Sequence, residues 1–348
     1  MLPLEGTTVV DAGTFISAPL AAQALAEMGA DVVKVEAPAG DGMRRFGRTV
    51  GGLSLLWLAT NRSRRFVTAD LATLAGRDTF DELLADADVL LTNWRPGVAE
   101  RLGLAAADVE ARHPRLVWCR VTGFGQDGPR AGSPAYDTVV QATTGLTVAQ
   151  GGGGEPQPVR SFLADKVTAG YATQAVLAAL VRRASTGRGG AVDVAMLDAL
   201  AHFDWPDLGV MRALPDDHDG DGVDHQLAAV RPVPTADGWV VVAAVRGDHV
   251  KAVCELAGHP EWLGEILAGP ATEIAERFYG RLATVFPSAP SAHWLAALAA
   301  LDVPAAEVLD LDGHLADPQV RHNRTYATAD HPVVGRHRYA RHPARWAD

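Results

Sequence analysis

A doubly wound α/β fold with a second, smaller domain is what this sequence predicts, on three observations. Short β-branched runs alternate with alanine-rich helical stretches from Thr7 onward. Loops rich in glycine and arginine follow those runs at their carboxyl ends. Beyond Phe203 the character changes to an acidic loop, one strand and a helical region broken by prolines. The chain has 348 residues, enough for one large or two modest domains. With 48% hydrophobic and 21% charged residues, the composition excludes a disordered chain.

Thr7 to Asp11 (TTVVD) suits a buried strand. Ser17 can cap the helix that follows, Pro19 suits its first turn, and Gly29 suits its stop. Ala30 to Glu36 then reads as a second strand, parallel to the first by the right-handed crossover rule. Arg64 to Leu71 is a strand, FDELLADA a helix, Asp88 to Asn93 a strand, Ala105 to Arg112 helical, and RLVWCRVTG another strand. Ligands of such sheets gather at the carboxyl ends of the strands, so the loops beginning at Ala12, Glu36, Asn93 and Gly123 are expected to hold the chemistry. Helices from about Tyr136 to Thr144 and from about Lys166 to Arg183 flank the loop AQGGGGEPQP. Pro234 to Val245 reads as a turn feeding a strand, and Gly247 to about Leu301 as helices interrupted by Pro260, Pro270, Pro287 and Pro290. The expected division is a large domain of residues 1–224 and 301–348 and a small one of 225–300.

Lys+Arg of 31 against Asp+Glu of 42 leaves a net charge of −11, which argues against a nucleic-acid partner. No apolar run approaches the ~20 residues of a membrane helix. The amino terminus lacks the basic start and apolar block of a signal peptide, and two cysteines without one point to the cytoplasm. Cys119 and Cys254 lie in apolar patterns and read as core thiols. The turn DAGTFISAP carries one glycine, so a nicotinamide or flavin site is not expected. Walker A, HExxH and paired CxxC motifs are missing, and no metal is expected. Asp217, Asp219, Asp221 and Gly222 open like a calcium loop, but Ala228 stands where the bidentate glutamate belongs, which favours a solvated loop.

Gly151 to Gly154 permit unusual backbone geometry, and by composition they read as a linker. Asp165, in FLADKVTAGY just before a long helix, has two open readings. One is a helix cap, the commonest role for an aspartate there; the other is a carboxylate nucleophile favoured by helix amides. Arg44, Arg45, Arg62, Arg64, Arg65, Arg95 and Arg101 collect at predicted strand ends, which suggests a phosphate-bearing ligand.

Nearly end to end, these segments resemble the class III CoA-transferases. The resemblance rests on VVDAGTFISAPLAAQALAEMGADVVKVEAPAGD, ATNRSRRFVTADL, ADVLLTNWRPGVAERLGL and HPRLVWCRVTGFGQDGP, and continues through PAYDTVVQATTGL, FLADKVTAGYATQAVLAAL, RRASTGRGGAVDVAMLDA, PTADGWVVVAA and LADPQV. It implies a Rossmann-like large domain plus a smaller α+β domain, in two chains threaded through each other as an interlocked homodimer. It also implies coenzyme A and acyl-CoA as substrate, an acyl-CoA donor and a carboxylic acid acceptor as partners, and no metal. By the same resemblance Asp165 matches the nucleophile that forms a covalent aspartyl intermediate, and Tyr136 matches a tyrosine beside the acyl group. CoA-contacting positions match Ile16, Ser17, Asn61, Arg64, Asn93, Trp94, Arg95 and Arg101. Ile16 replaces a glutamine of formyl-CoA transferase and Ala37 replaces a CoA-contacting arginine, which suggests a more apolar acyl pocket. The related α-methylacyl-CoA racemases carry a histidine where this chain has Tyr136 and an acid where it has Arg246; both departures speak against two-base proton transfer. A racemase-like isomerase and a catalytically inactive CoA-binding relative are the alternative readings.

Overall fold

The structure is a computed structural model and describes residues 1–214, 230–268 and 273–346. Two compact units make up the chain: Met1–Trp205 with Arg324–Asp348, and Pro206–Asn323. The sequence reading places the divisions at 224 and 300. The later return to the larger unit has a physical reason: a short strand, Ala305–Glu307, pairs within the smaller one. The Asp217–Gly222 motif and Ala228 lie outside the described residues.

In the larger unit, six strands form one parallel sheet: β1 Thr8–Asp11, β2 Asp31–Glu36, β3 Arg65–Thr68, β4 Val89–Thr92, β5 Val117–Thr122 and β6 Gly190–Ala195. Their order is β3-β2-β1-β4-β5-β6. Connectivity reverses direction between β1 and β4, so the loops leaving these neighbours part and open a crevice, the ligand position of Rossmann-like sheets.

Helices α1 Ser17–Glu27, α2 Leu74–Ala85, α3 Asp137–Thr143, α4 Leu163–Thr186 and α5 Met196–Asp204 complete the frame. Alternation along β1 sends Val9 to one face of the sheet and Val10 to the other. On the Val9 face, Ala21, Ala22 and Leu25 of α1 pack with Ala169, Ala172 and Val176 of α4. Small side chains let these helices approach the sheet closely, which is why alanine dominates both. On the Val10 face, Phe80 and Leu84 of α2 pack with Val35, Leu90 and Trp118. Both faces are covered, as a parallel sheet requires.

Two expected caps are corrected. Ile16, without a side-chain bond, occupies the cap of α1, and Ser17 is its first residue. Phe162 likewise precedes α4, leaving Asp165 third in the helix and free of a capping role. The helix expected over 136–144 is shorter: Tyr136 is the cap of the seven-residue α3, and a separate short helix spans Leu146–Gln150. The tetraglycine forms a tight turn, with Gly152 and Gly153 at φ 58° and 86°. The Gln157 N–H closes it on the Thr147 carbonyl at 2.8 Å.

The smaller unit holds β7 Val233–Pro234, β8 Trp239–Val242 and β9 Ala305–Glu307, antiparallel in the order β9-β8-β7. Helices Gly247–Leu256, Trp262–Leu267, Ile274–Val285 and Ser291–Ala300 surround a core that includes Val240, Phe278, Leu282 and Trp294. Cys254 is buried there and Cys119 in the parallel sheet. Burial pushes both thiols up, Cys119 to about 12, as inert core cysteines require. From Arg324 the chain returns to the larger unit as the hairpin β10 Tyr326–His331 and β11 Gly335–Ala340. Among the described residues no helix is long and apolar enough to cross a membrane.

Candidate active site

The parallel register of β1 and β2 places Asp11 opposite Lys34, both fully buried. Lys34 Nζ lies 3.3 Å from Asp11 and 3.6 Å from buried Asp41. Arg64 joins them, its Nη1 2.6 Å from Asp11 Oδ2, and its Nη2 donates to the carbonyls of Pro19 and Thr60. Two cations and two anions compensate one another in a place where a lone charge is untenable. Burial pulls the Arg64 guanidinium down from its ordinary value, and Asp11 opposes the shift.

The same groups hold the loop after β1. Lys34 donates to the Gly13 carbonyl at 2.5 Å, and Asp11 accepts the Gly13 N–H at 2.9 Å. Asp41 accepts the N–H groups of Phe15 and Met43. Phe15 sits at φ 61°. For a bulky residue that conformation costs about 1–3 kcal/mol, and the Asp41 bonds offset it. From β4, Asn93 accepts the Thr14 N–H at 2.8 Å and donates to the Thr14 carbonyl at 2.7 Å. Trp94 Nε1 donates to the Ala12 carbonyl at 3.0 Å. The loop is therefore built rigid before any ligand arrives.

Above it, at the carboxyl ends of β1, β4 and β5, lies a cavity of about 720 Å³. Gly123 forms part of its wall, where a Cβ would stand 2.3 Å from Ala135 Cβ. We expect Gly123→Ala to displace that wall and cost about 1–3 kcal/mol, measurable by denaturant unfolding.

Asp165 lines this cavity from the first turn of α4. Its N–H donates to Asp137 Oδ2 at 3.1 Å. Asp137 is buried on α3, and its Oδ1 accepts from Gln141 Nε2 at 2.5 Å. Gln141 also binds the Val159 N–H and the Ser161 carbonyl, so one network fixes the segment entering α4. Burial, and then the charge of Asp137, push the Asp165 carboxyl up to about 7, while donation by the Ser17 hydroxyl and N–H works the other way. Asn93 donates in turn to Ser17 Oγ at 3.4 Å. The amino-terminal ends of α1 and α4 meet at this carboxyl, and helix dipoles favour its anion. The result is a poorly solvated carboxylate, more basic than an ordinary one, facing an open cavity.

Ile16, Ser17, Asn93, Trp94, Arg95, Tyr136 and Asp165, all singled out in the sequence, line this one cavity. Asn61, Arg64 and Arg101 do not. Asn61 is buried, donating to the Trp57 carbonyl at 3.0 Å, and its Oδ1 accepts from Arg64. Arg101 is exposed at the end of the short helix Val98–Arg101. A second cavity of about 280 Å³ adjoins the first, sharing Thr14 and Trp94, with Ala12, Val35, Ala37 and Leu71 in its wall. Sequence reasoning missed Asp137, Phe15, Asp41 and Lys34. Lys34 had a legible signal, as a charge inside the buried run ADVVKVE one strand away from the Asp of TTVVD. Asp137 had a weaker one, Gln141 one turn along the same helix.

Residues 4–348 match the profile of CoA-transferase family III. The chain belongs to CoA-transferase family III. That places it among enzymes whose substrates are CoA thioesters. Among relatives in the family, the Succinyl-CoA–L-malate CoA-transferase beta subunit of Chloroflexus aurantiacus is 37% identical over 268 residues, covering 75% of this chain and 66% of that one. The alignment thus spans just under two thirds of the Chloroflexus subunit's length. The Acetyl-CoA:oxalate CoA-transferase of Acetobacter aceti is 32% identical over 89% of this chain and 81% of its own. Among solved structures, an aspartate-to-alanine variant of a Mycobacterium tuberculosis protein superposes with a TM-score of 0.84 at 29% identity, covering 99% of this chain and 93% of that one.

Proposed function

We propose that this family III member is an acyl-CoA:carboxylate CoA-transferase in which Asp165 is the nucleophile. The observation that carries the reading is the environment of that carboxyl: it lines the cavity, is raised to about 7, and is held by Ser17. An Asp165 oxygen attacks the thioester carbonyl of the donor, and the C–S bond breaks. This gives an aspartyl–acyl anhydride and CoA thiolate. The thiolate attacks the Asp165 carbonyl carbon, expelling the donor carboxylate and leaving an aspartyl-CoA thioester. An acceptor carboxylate attacks that thioester and releases the thiolate, which then takes the acceptor's acyl group and frees Asp165. Covalent capture keeps the activation that hydrolysis would waste.

Within this reading Tyr136, packed edge-on against Phe15 at 5.5 Å, flanks the acyl group. In the same reading Arg95, on the cavity wall, meets the CoA phosphates, Arg101 shares that role by resemblance alone, and the smaller cavity takes the adenine. Assembly as a homodimer in the cytoplasm belongs to the same proposal and rests on resemblance. The racemase alternative is disfavoured by residue chemistry. Tyr136 offers a phenol in place of an imidazole, and Arg246 is ion-paired with Asp248 at 2.5 Å.

Two measurements test the proposal. Initial rates with an acyl-CoA donor and a free acid should give parallel double-reciprocal lines, the mark of a covalent intermediate; intersecting lines would count against it. The acid limb of the kcat/KM profile should have an apparent pKa near 7, because only ionised Asp165 attacks. Asp137→Asn removes the negative neighbour and should move that limb about one unit lower.

A further inference from the structure

We propose that the acyl group this site accepts is an apolar monocarboxylate, and that dicarboxylyl thioesters are poor donors. The inference rests on Asp165 as nucleophile and adds what the neighbouring wall selects. Phe15, Ile16, Met43, Phe46, Phe162 and Met196 line the cavity that Asp165 faces. Ile16, Met43 and Met196 are buried, so solvent does not stand behind that wall. Phe46 and Phe162 form an edge-on pair at 6.4 Å, and Phe15 pairs with Tyr136 at 5.5 Å, giving two aromatic flanks.

The charges point the same way. Asp137 and Asp165 both line the cavity, and among the described residues lining it Arg95 is the one cation. Arg95 is exposed on the loop after β4. Of the donors lining it, Trp94, Asn93 and Ser17 are engaged by Ala12, Thr14 and Asp165, and the hydroxyls of Ser133, Tyr136 and Thr138 carry no charge. A second carboxylate on the acyl group would therefore lie against carbon atoms, near two acids, with the exposed Arg95 as the one cation on the wall. An aliphatic or aryl tail meets the reverse situation, and each methylene buried should raise kcat/KM roughly fourfold until the wall is filled.

The experiment compares hexanoyl-CoA with succinyl-CoA as donors in the presence of hydroxylamine, reading the hydroxamate on Asp165 by peptide mass spectrometry. Hexanoyl-CoA should label at least about a hundredfold faster at limiting donor. Phe46→Arg sets a guanidinium on a wall position that is 49% exposed in the native chain and should tolerate it. That variant should shift the ratio toward succinyl-CoA by about tenfold or more. Equal labelling by the two donors in the native enzyme would overturn the inference and leave Asp165 as nucleophile intact. A ratio unmoved in Phe46→Arg would overturn the assignment of this wall to the acyl group. No label from either donor would overturn the reading of Asp165, and the inference with it.

Discussion

Asp165→Asn should lower CoA transfer by at least about a thousandfold, because an amide cannot form the acyl anhydride. The same change should stabilise the fold at alkaline pH. The carboxyl titrates at its ordinary 3.8 when unfolded and at about 7 when folded. Well below pH 3.8 both states hold the proton, and the titration contributes nothing to stability. Between pH 4 and 7 the unfolded chain releases a proton that the folded chain keeps, so stability falls as pH rises. Above pH 7 the loss is complete. Asparagine has no such titration. Thermal unfolding should show the variant equal to the native enzyme near pH 3 and more stable at pH 8 by roughly 1–2 kcal/mol, the full shift being discounted for the carboxyl's partial exposure. A stabilised but inactive variant would identify Asp165 as a residue kept for chemistry at the expense of the fold.

The second large effect concerns Arg64. Arg64→Met leaves Asp11 with Lys34 alone and strips donors from the Pro19 and Thr60 carbonyls. Breaking a buried pair in this way costs about 3–5 kcal/mol, a drop in Tm of roughly 10 °C for a unit of this size. Adding Asp11→Asn should restore part of the loss, since the orphaned charge goes with it. If Arg64 instead served a CoA phosphate, the single variant would raise KM for acyl-CoA and leave Tm unchanged. Calorimetry beside initial-rate kinetics separates the two.

Much of the larger unit was legible because its elements are local. TTVVD, ADVVKVE and DVLLTN are β-branched or apolar runs of strand length, and the alanine-rich stretches between them have helical spacing. The crossover rule then makes neighbours parallel, and the crevice at the β1/β4 reversal follows. The loops after those two strands contribute to one cavity, and seven of the residues singled out in the sequence line it. What stayed hidden depends on contacts distant in sequence. Arg64 read as a ligand contact because basic residues at strand ends usually face solvent; its burial against Asp11 is 53 residues away in the chain. Asp137 is only weakly signalled in the sequence, because its importance arises when α3 is laid beside the first turn of α4. Asp165 looked like a cap, and only the start of α4 at Leu163 frees it from that duty.

The most direct measurement is mass spectrometry of the tryptic peptide Ser161–Lys166 after the enzyme meets an acyl-CoA with no acceptor acid present. The account predicts that this peptide gains the mass of a CoA thioester on Asp165, with one equivalent of donor acid released per site. An unmodified peptide from enzyme that nonetheless exchanges acids between thioesters at its full rate would contradict it.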